Sequence, residues 1–278
     1  MSYLPELSEA DATGDIARIY QEIRVCSGVP YVSTLQRFLA TLPGVLEFGW
    51  AAVRPAMMSG VAPEAAWRAA AEAKPPPLPE LSPSVLRLMG VDSDGLGTIR
   101  NIAANFARVS PVNVITGALL EPFVTGGDDP DGSGFVEGRR AAPAMLDDMP
   151  RLPAMETLSP DMADALRTLM VPIGGQPFLP ALYRQFAPWP AFAAFLAAVI
   201  PPRRANPDVI AAEERAIGRI VDAGRALFPN LPPPPDLPRP DRAAAALIDE
   251  AIQRYRTTSA DMICTGQTLL AALPEDME

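Results

Sequence analysis

Laid over itself, the chain repeats. The stretch from Gly28 to Pro43 falls without a gap on Gly175 to Pro190, with Pro30 on Pro177, Tyr31 on Phe178, Leu35 on Leu182, Arg37 on Arg184 and Pro43 on Pro190. A proline therefore opens and closes the same segment in each copy, where its missing N–H and fixed φ favour an element boundary. Upstream, Thr13-Gly14-Asp15 matches Ser159-Pro160-Asp161, a hydroxyl N-cap followed by an acid in the first turn. Downstream, the stiff connector Pro75-Pro76-Pro77-Leu78-Pro79-Glu80 has a counterpart in Pro232-Pro233-Pro234-Pro235-Asp236-Leu237-Pro238. Phe106, Ser110 and Thr116-Gly117 align with Tyr255, Ser259 and Thr265-Gly266. Separated matches in one order imply a duplicated unit. The expected organisation is a first repeat over residues 1–125, a Gly- and Asp-rich linker over 126–150 and a second repeat over 151–278, the repeats packing as a pseudo-dimer.

Helical periodicity gives the repeated unit its fold class. Ile16, Ile19, Tyr20 and Ile23 recur at helical spacing, as do Val32, Leu35, Leu39 and Leu42. Alternating β-branched runs bounded by Asn-Gly or Asp-Gly turns are missing, so the expectation is all-α.

Composition narrows the chemistry. The chain has no histidine, which removes the commonest general base and transition-metal ligand together. A formal charge of -10 repels phosphate backbones, so nucleic acid is not an expected partner. No apolar run is long enough to span a bilayer, and the start Met-Ser-Tyr-Leu-Pro-Glu lacks the basic and apolar regions of a secretory signal. A cytoplasmic protein with no membrane association is expected. Cys26 and Cys264 show no metal-ligand spacing and read as buried apolar side chains. Asp128-Asp129-Pro130-Asp131 and Val91-Asp92-Ser93-Asp94-Gly95 lack the ligand spacing of a calcium loop, and Gly174-Gly175 lacks the Lys-Ser/Thr of a phosphate loop.

The run from Thr13-Gly14-Asp15 to Tyr20-Gln21-Glu22-Ile23-Arg24, then Val29-Pro30-Tyr31-Val32 and Leu39-Ala40-Thr41-Leu42-Pro43-Gly44, resembles the first repeat of the group I 2-haloacid dehalogenases. Pro77 to Leu81, Phe106 to Pro111 and Trp189-Pro190 carry the likeness over most of the chain; it is strongest from Thr13 to Trp50 and fades beyond Pro201. The resemblance implies an all-α pseudo-dimer that forms a homodimer, with a pocket between its repeats for a short 2-halocarboxylate. It also implies a mechanism in which an aspartate of the second repeat activates a water that displaces halide directly from the α-carbon, assisted by an asparagine of the first.

Carried across residue by residue, the family's tryptophan after Val-Pro becomes Tyr31, and its asparagine before a proline becomes Ser110 before Pro111. The catalytic aspartate falls on Leu182 or Pro180, depending on the anchor, and no Asp or Glu occurs between Asp164 and Asp208. The substrate-binding set that follows is Tyr31, Thr34, Ser110, Phe178, Leu182 and Tyr255; no catalytic residue, metal or cofactor is assigned. The expected function is a 2-haloacid dehalogenase-like protein that holds a small organic acid or apolar ligand between its repeats, its hydrolysis altered or lost. The alternative is a non-catalytic helical binding or scaffold protein. Arg37 and Arg184, at equivalent positions, are expected to form structural ion pairs or cap helix carbonyls, with a carboxylate clamp as the other reading. Ser110 and Ser259 are expected at helix interruptions.

Overall fold

The computed structural model describes residues 4–278 apart from Glu137, Arg139, Gly174 and Pro235. The chain's start at Met1, Gly174 of the glycine pair and Pro235 of the second proline tract lie outside them. The described chain is helical: α1 Gly14–Ser27, α2 Thr34–Leu39, α3 Val45–Met58, α4 Val61–Ala71, α5 Pro83–Leu88, α6 Ser93–Thr125, α7 Pro160–Arg167, then, after a small hairpin, α8 Ala181–Gln185, α9 Pro190–Arg204, α10 Pro207–Leu227 and α11 Arg242–Ala272. No helix among the described residues is long and apolar enough to cross a membrane. The all-α expectation holds, with one local correction. Strands β1 Val171–Ile173 and β2 Gln176–Phe178 pair antiparallel, Val171 opposite Phe178. Each strand is too short to show an alternating pattern, so it carried no periodic signal.

Helix boundaries follow local chemistry. Ser159 caps α7 by accepting from the Met162 N–H at 3.3 Å, and Pro160 sits at the start of the helix, where its missing donor costs nothing. Thr13 occupies the corresponding place before α1, but its hydroxyl makes no capping bond. Asp92, in the acidic turn, accepts from the Gly95 N–H at 2.8 Å at the start of α6. Gly28 ends α1 in the left-handed region, φ 64°, with its N–H on the Arg24 carbonyl. A second correction concerns the serines: α6 runs unbroken through Ser110-Pro111 and α11 through Ser259, so neither marks an interruption.

The chain forms two compact units, each assembled from three stretches. Unit 1 comprises residues 1–72, 108–146 and 216–259; unit 2 comprises 73–107, 147–215 and 260–278. Each unit therefore draws on both halves of the chain. In unit 1 the periodic residues Ile19, Tyr20, Ile23, Val32, Leu35 and Leu39 are buried, while Ile16 and Leu42 are half-buried. Glu22 there accepts from the Trp50 indole at 2.6 Å and from Arg54 at 2.9 and 3.0 Å. The linker residues keep contact with this unit: the Leu146 N–H reaches the Gly28 carbonyl at 3.0 Å, and Arg108 reaches that of Ala144 at 2.7 Å. In unit 2, Leu86, Ile99, Ile102, Leu182, Phe186, Phe192 and Leu196 form a fully buried apolar core.

Candidate functional site

The binding residues expected from sequence divide between the units. Tyr31, Thr34, Ser110 and Tyr255 belong to unit 1, Phe178 and Leu182 to unit 2. Within unit 1 the fold joins three of them across the two sequence copies. Tyr255, on α11, is hydrogen-bonded to the Thr34 side chain and electrostatically coupled to Tyr31. Burial, foremost, pushes both phenols above the ordinary tyrosine value, with Tyr255 adding to the rise at Tyr31. Both stay neutral, as hydrogen-bonding walls and not bases. Arg37, one helical turn from Thr34, pairs with Glu6 at 2.5 Å, the structural ion pair expected of it. Ser110 is buried within α6, one turn before Asn113.

That asparagine belongs to a group the sequence reading passed over. The Gln36 amide donates to Asn113 Oδ1 at 3.0 Å, and Asn113 Nδ2 donates to the Ser33 hydroxyl at 2.9 Å. All three side chains are buried, and Gln36 Oε1 is left without a hydrogen-bond partner. The available signal was an amide set among apolar neighbours, Leu35-Gln36 and Val112-Asn113-Val114.

In unit 2 the two positions on which the resemblance places an aspartate, Leu182 and Pro180, are apolar side chains. Leu182 is fully buried in the core, and Pro180 precedes the first turn of α8. Phe178, in β2, is half-buried. A carboxylate nevertheless reaches this segment from outside it. Asp261, on α11, accepts from the hydroxyl of Tyr183, the neighbour of Leu182, at 2.9 Å on one oxygen and 2.8 Å on the other. Thr265 donates to Oδ1 at 3.0 Å, Arg204 to Oδ2 at 2.7 Å, and the guanidinium lies 5.3 Å from the centre of the Tyr183 ring. Burial would lower the Arg204 pKa, but Asp261 and Tyr183 beside it raise it; burial and Asp261 together hold the Tyr183 phenol well above its usual value.

A carboxylate has about four lone-pair sites. Tyr183, Thr265 and Arg204 supply one proton each to Asp261, which fills most of these sites. This is the wiring of a positioned structural anion. The sequence signal was an acid inside the otherwise apolar run Ala260-Asp261-Met262-Ile263-Cys264, with Thr265 one turn on.

A second acid adjoins this group. Glu213, half-buried on α10, has its pKa pushed up to about 7, first by burial and then by Asp261, against the opposing pull of Arg204 and Arg203. A carboxyl of that proton affinity exchanges protons near neutral pH. Cys264, buried and unoxidised, has its thiol pushed up to about 12 by burial and then by Glu213 and Asp261, which keeps it a protonated, inert side chain. Among the described residues no group of His, Cys, Asp and Glu is placed to hold a metal ion.

No protein-family model matches the chain. A configuration-inverting 2-haloacid dehalogenase of Alcaligenes xylosoxydans xylosoxydans is 37% identical over 65 residues, which span 23% of this chain and 22% of that protein. Among solved structures, a D-2-haloacid dehalogenase mutant in complex with D-2-CPA is similar with a TM-score of 0.67 and 19% identity, over 96% of this chain and 94% of that one. The D-2-haloacid dehalogenase in complex with L-LA gives the same TM-score, identity and coverage. The chain therefore has the fold of these enzymes.

Proposed function

We propose that this chain is a 2-haloacid dehalogenase-like protein that binds a small organic acid and has lost or altered the hydrolytic step. The observation that carries the reading is the fold it shares with D-2-haloacid dehalogenases along 96% of its length. The local identity to a configuration-inverting 2-haloacid dehalogenase supports the same assignment. Tyr31, Thr34 and Tyr255, close together in unit 1, supply an aromatic wall with hydrogen-bonding hydroxyls for such a ligand.

The loss of hydrolysis rests on proton bookkeeping. Direct displacement of halide by water needs an acceptor beside the water. Leu182 and Pro180 offer none, and Asp261 already accepts from Tyr183, Arg204 and Thr265. In the same reading the sequence copies, residues 1–125 and 151–278, are repeats packed as a pseudo-dimer, and the protein is a cytoplasmic homodimer without metal or cofactor. The deciding measurement is halide release from D- and L-2-chloropropionate at neutral pH. The expected result is release no faster than in buffer; turnover of either enantiomer would overturn the loss of hydrolysis and leave the dehalogenase assignment standing.

A non-catalytic scaffold is the second reading, favoured by one feature. The segment that inherits the catalytic position is filled by Leu182 and Phe186, both fully buried in the unit 2 core.

A further inference from the structure

Arg37 and Arg184 occupy one position of the duplicated segment, yet only one of them is neutralised. Arg37 pairs with Glu6 at 2.5 Å. Arg184, on α8 in unit 2, has no acidic side chain within ion-pairing distance among the described residues; its Nε, like that of Arg37, is buried without a hydrogen-bond partner. Glu156 acts on it only through longer-range attraction, which does not offset the cost of burial: the guanidinium's pKa stays below the usual arginine value. The sequence explains the asymmetry. The stretch before the second copy that corresponds to the neighbourhood of Glu6 reads Arg151-Leu152-Pro153, with no acid to play its part.

Among the described residues, the other half-buried arginines each have an acid or a main-chain carbonyl as partner. Arg24 meets Glu9 at 2.6 Å, Arg204 meets Asp261, and Arg100 and Arg203 reach main-chain carbonyls. A partly desolvated guanidinium without a partner is costly, and the cost is recovered when an anion arrives. Its planar fork of donors matches a carboxylate in particular, and the charge-assisted bonds so formed are about twice as strong as neutral ones.

We infer that Arg184, on α8 in unit 2, binds the carboxylate of a small organic acid. The choice of ligand rests on the function proposed above; the unpaired guanidinium rests only on the geometry. Arg184 thus takes the clamp role, while its twin Arg37 keeps the structural one.

The test uses the full-length chain, with sodium propionate as probe, by titration calorimetry and thermal denaturation at constant ionic strength. Arg184→Gln and Arg184→Lys are compared with wild type, and Arg68→Gln, on the exposed face of α4, controls for the change of net charge. Propionate is expected to raise the wild-type Tm. Arg184→Gln should lose roughly tenfold or more in affinity, Arg184→Lys part of that, and Arg68→Gln nothing. Without propionate, Arg184→Gln should be at least as stable as wild type, because no partner is left behind. Equal propionate affinity in wild type and Arg184→Gln, no propionate binding by wild type, or a lower Tm for ligand-free Arg184→Gln would each overturn the inference. Propionate bound through Arg184 with no halide released separates this inference from the catalytic question. Halide released with the same KM by wild type and Arg184→Gln removes the inference alone.

Discussion

The two units solve one burial problem with different chemistry. Gln36 and Tyr183 fall on one another when the two similar stretches of sequence are aligned, and each points a polar group at a long helix, α6 in unit 1 and α11 in unit 2. In unit 1 the partner is an amide, and the chain Gln36–Asn113–Ser33 is neutral throughout. In unit 2 it is a carboxylate, and Tyr183, Asp261, Arg204 and Thr265 form a buried ionic group. A neutral network costs little to desolvate and tolerates a loose end, as the unpartnered Gln36 Oε1 shows. An ionic one must be complete, because each charge left behind is expensive.

That contrast can be broken most directly at Asp261. Asp261→Ala strands Arg204 and Tyr183 in the core and is expected to cost about 3–5 kcal/mol in urea denaturation, as for other buried ion pairs losing one member. Removing both charges together, Asp261→Leu with Arg204→Met, should cost clearly less than Asp261→Ala alone. Equal losses would mean that the group is no more demanding than its neutral counterpart.

A smaller effect sharpens the electrostatics. Glu213 faces Asp261, Arg203 and Arg204, with Cys264 beside it. Its pKa in the folded protein is about 7 against an ordinary 4.5. Between those values the folded state holds a proton that the unfolded chain has released, so stability from this group falls as pH rises through the window and levels off above about 7. Glu213→Gln should therefore gain stability relative to wild type between pH 5 and pH 8, read from urea midpoints. A constant difference across that range would rule out the perturbed titration.

The smallest change is expected in unit 1. Gln36→Leu removes the unpartnered oxygen but leaves Asn113 Oδ1 without its donor, and should cost about 1–3 kcal/mol by the same denaturation measurement. A loss comparable to that of Asp261→Ala would put the two networks on the same footing.

Helix content was open to reading because periodicity is local: Ile19, Tyr20 and Ile23 announce a buried stripe whatever they pack against. The hairpin at Val171–Phe178 was not, since strands of this length offer no pattern to count. Of the proposed ligand residues, the Tyr31–Thr34–Tyr255 group could be named from resemblance, but its assembly within one unit depends on α11 meeting the first copy of the segment.

From its residues alone the chain announced a helical fold, two self-similar segments and the want of histidine. These are properties of composition and short-range order. Which carboxylate would stand beside Tyr183, and which of two equivalent arginines would keep a partner, depended on the folded chain. Asp261 lies 78 residues from Tyr183, and Glu6 neutralises Arg37 while among the described residues no acid pairs with Arg184. Electrostatic pairing is set by distance in space, and spacing along the chain carries no record of it.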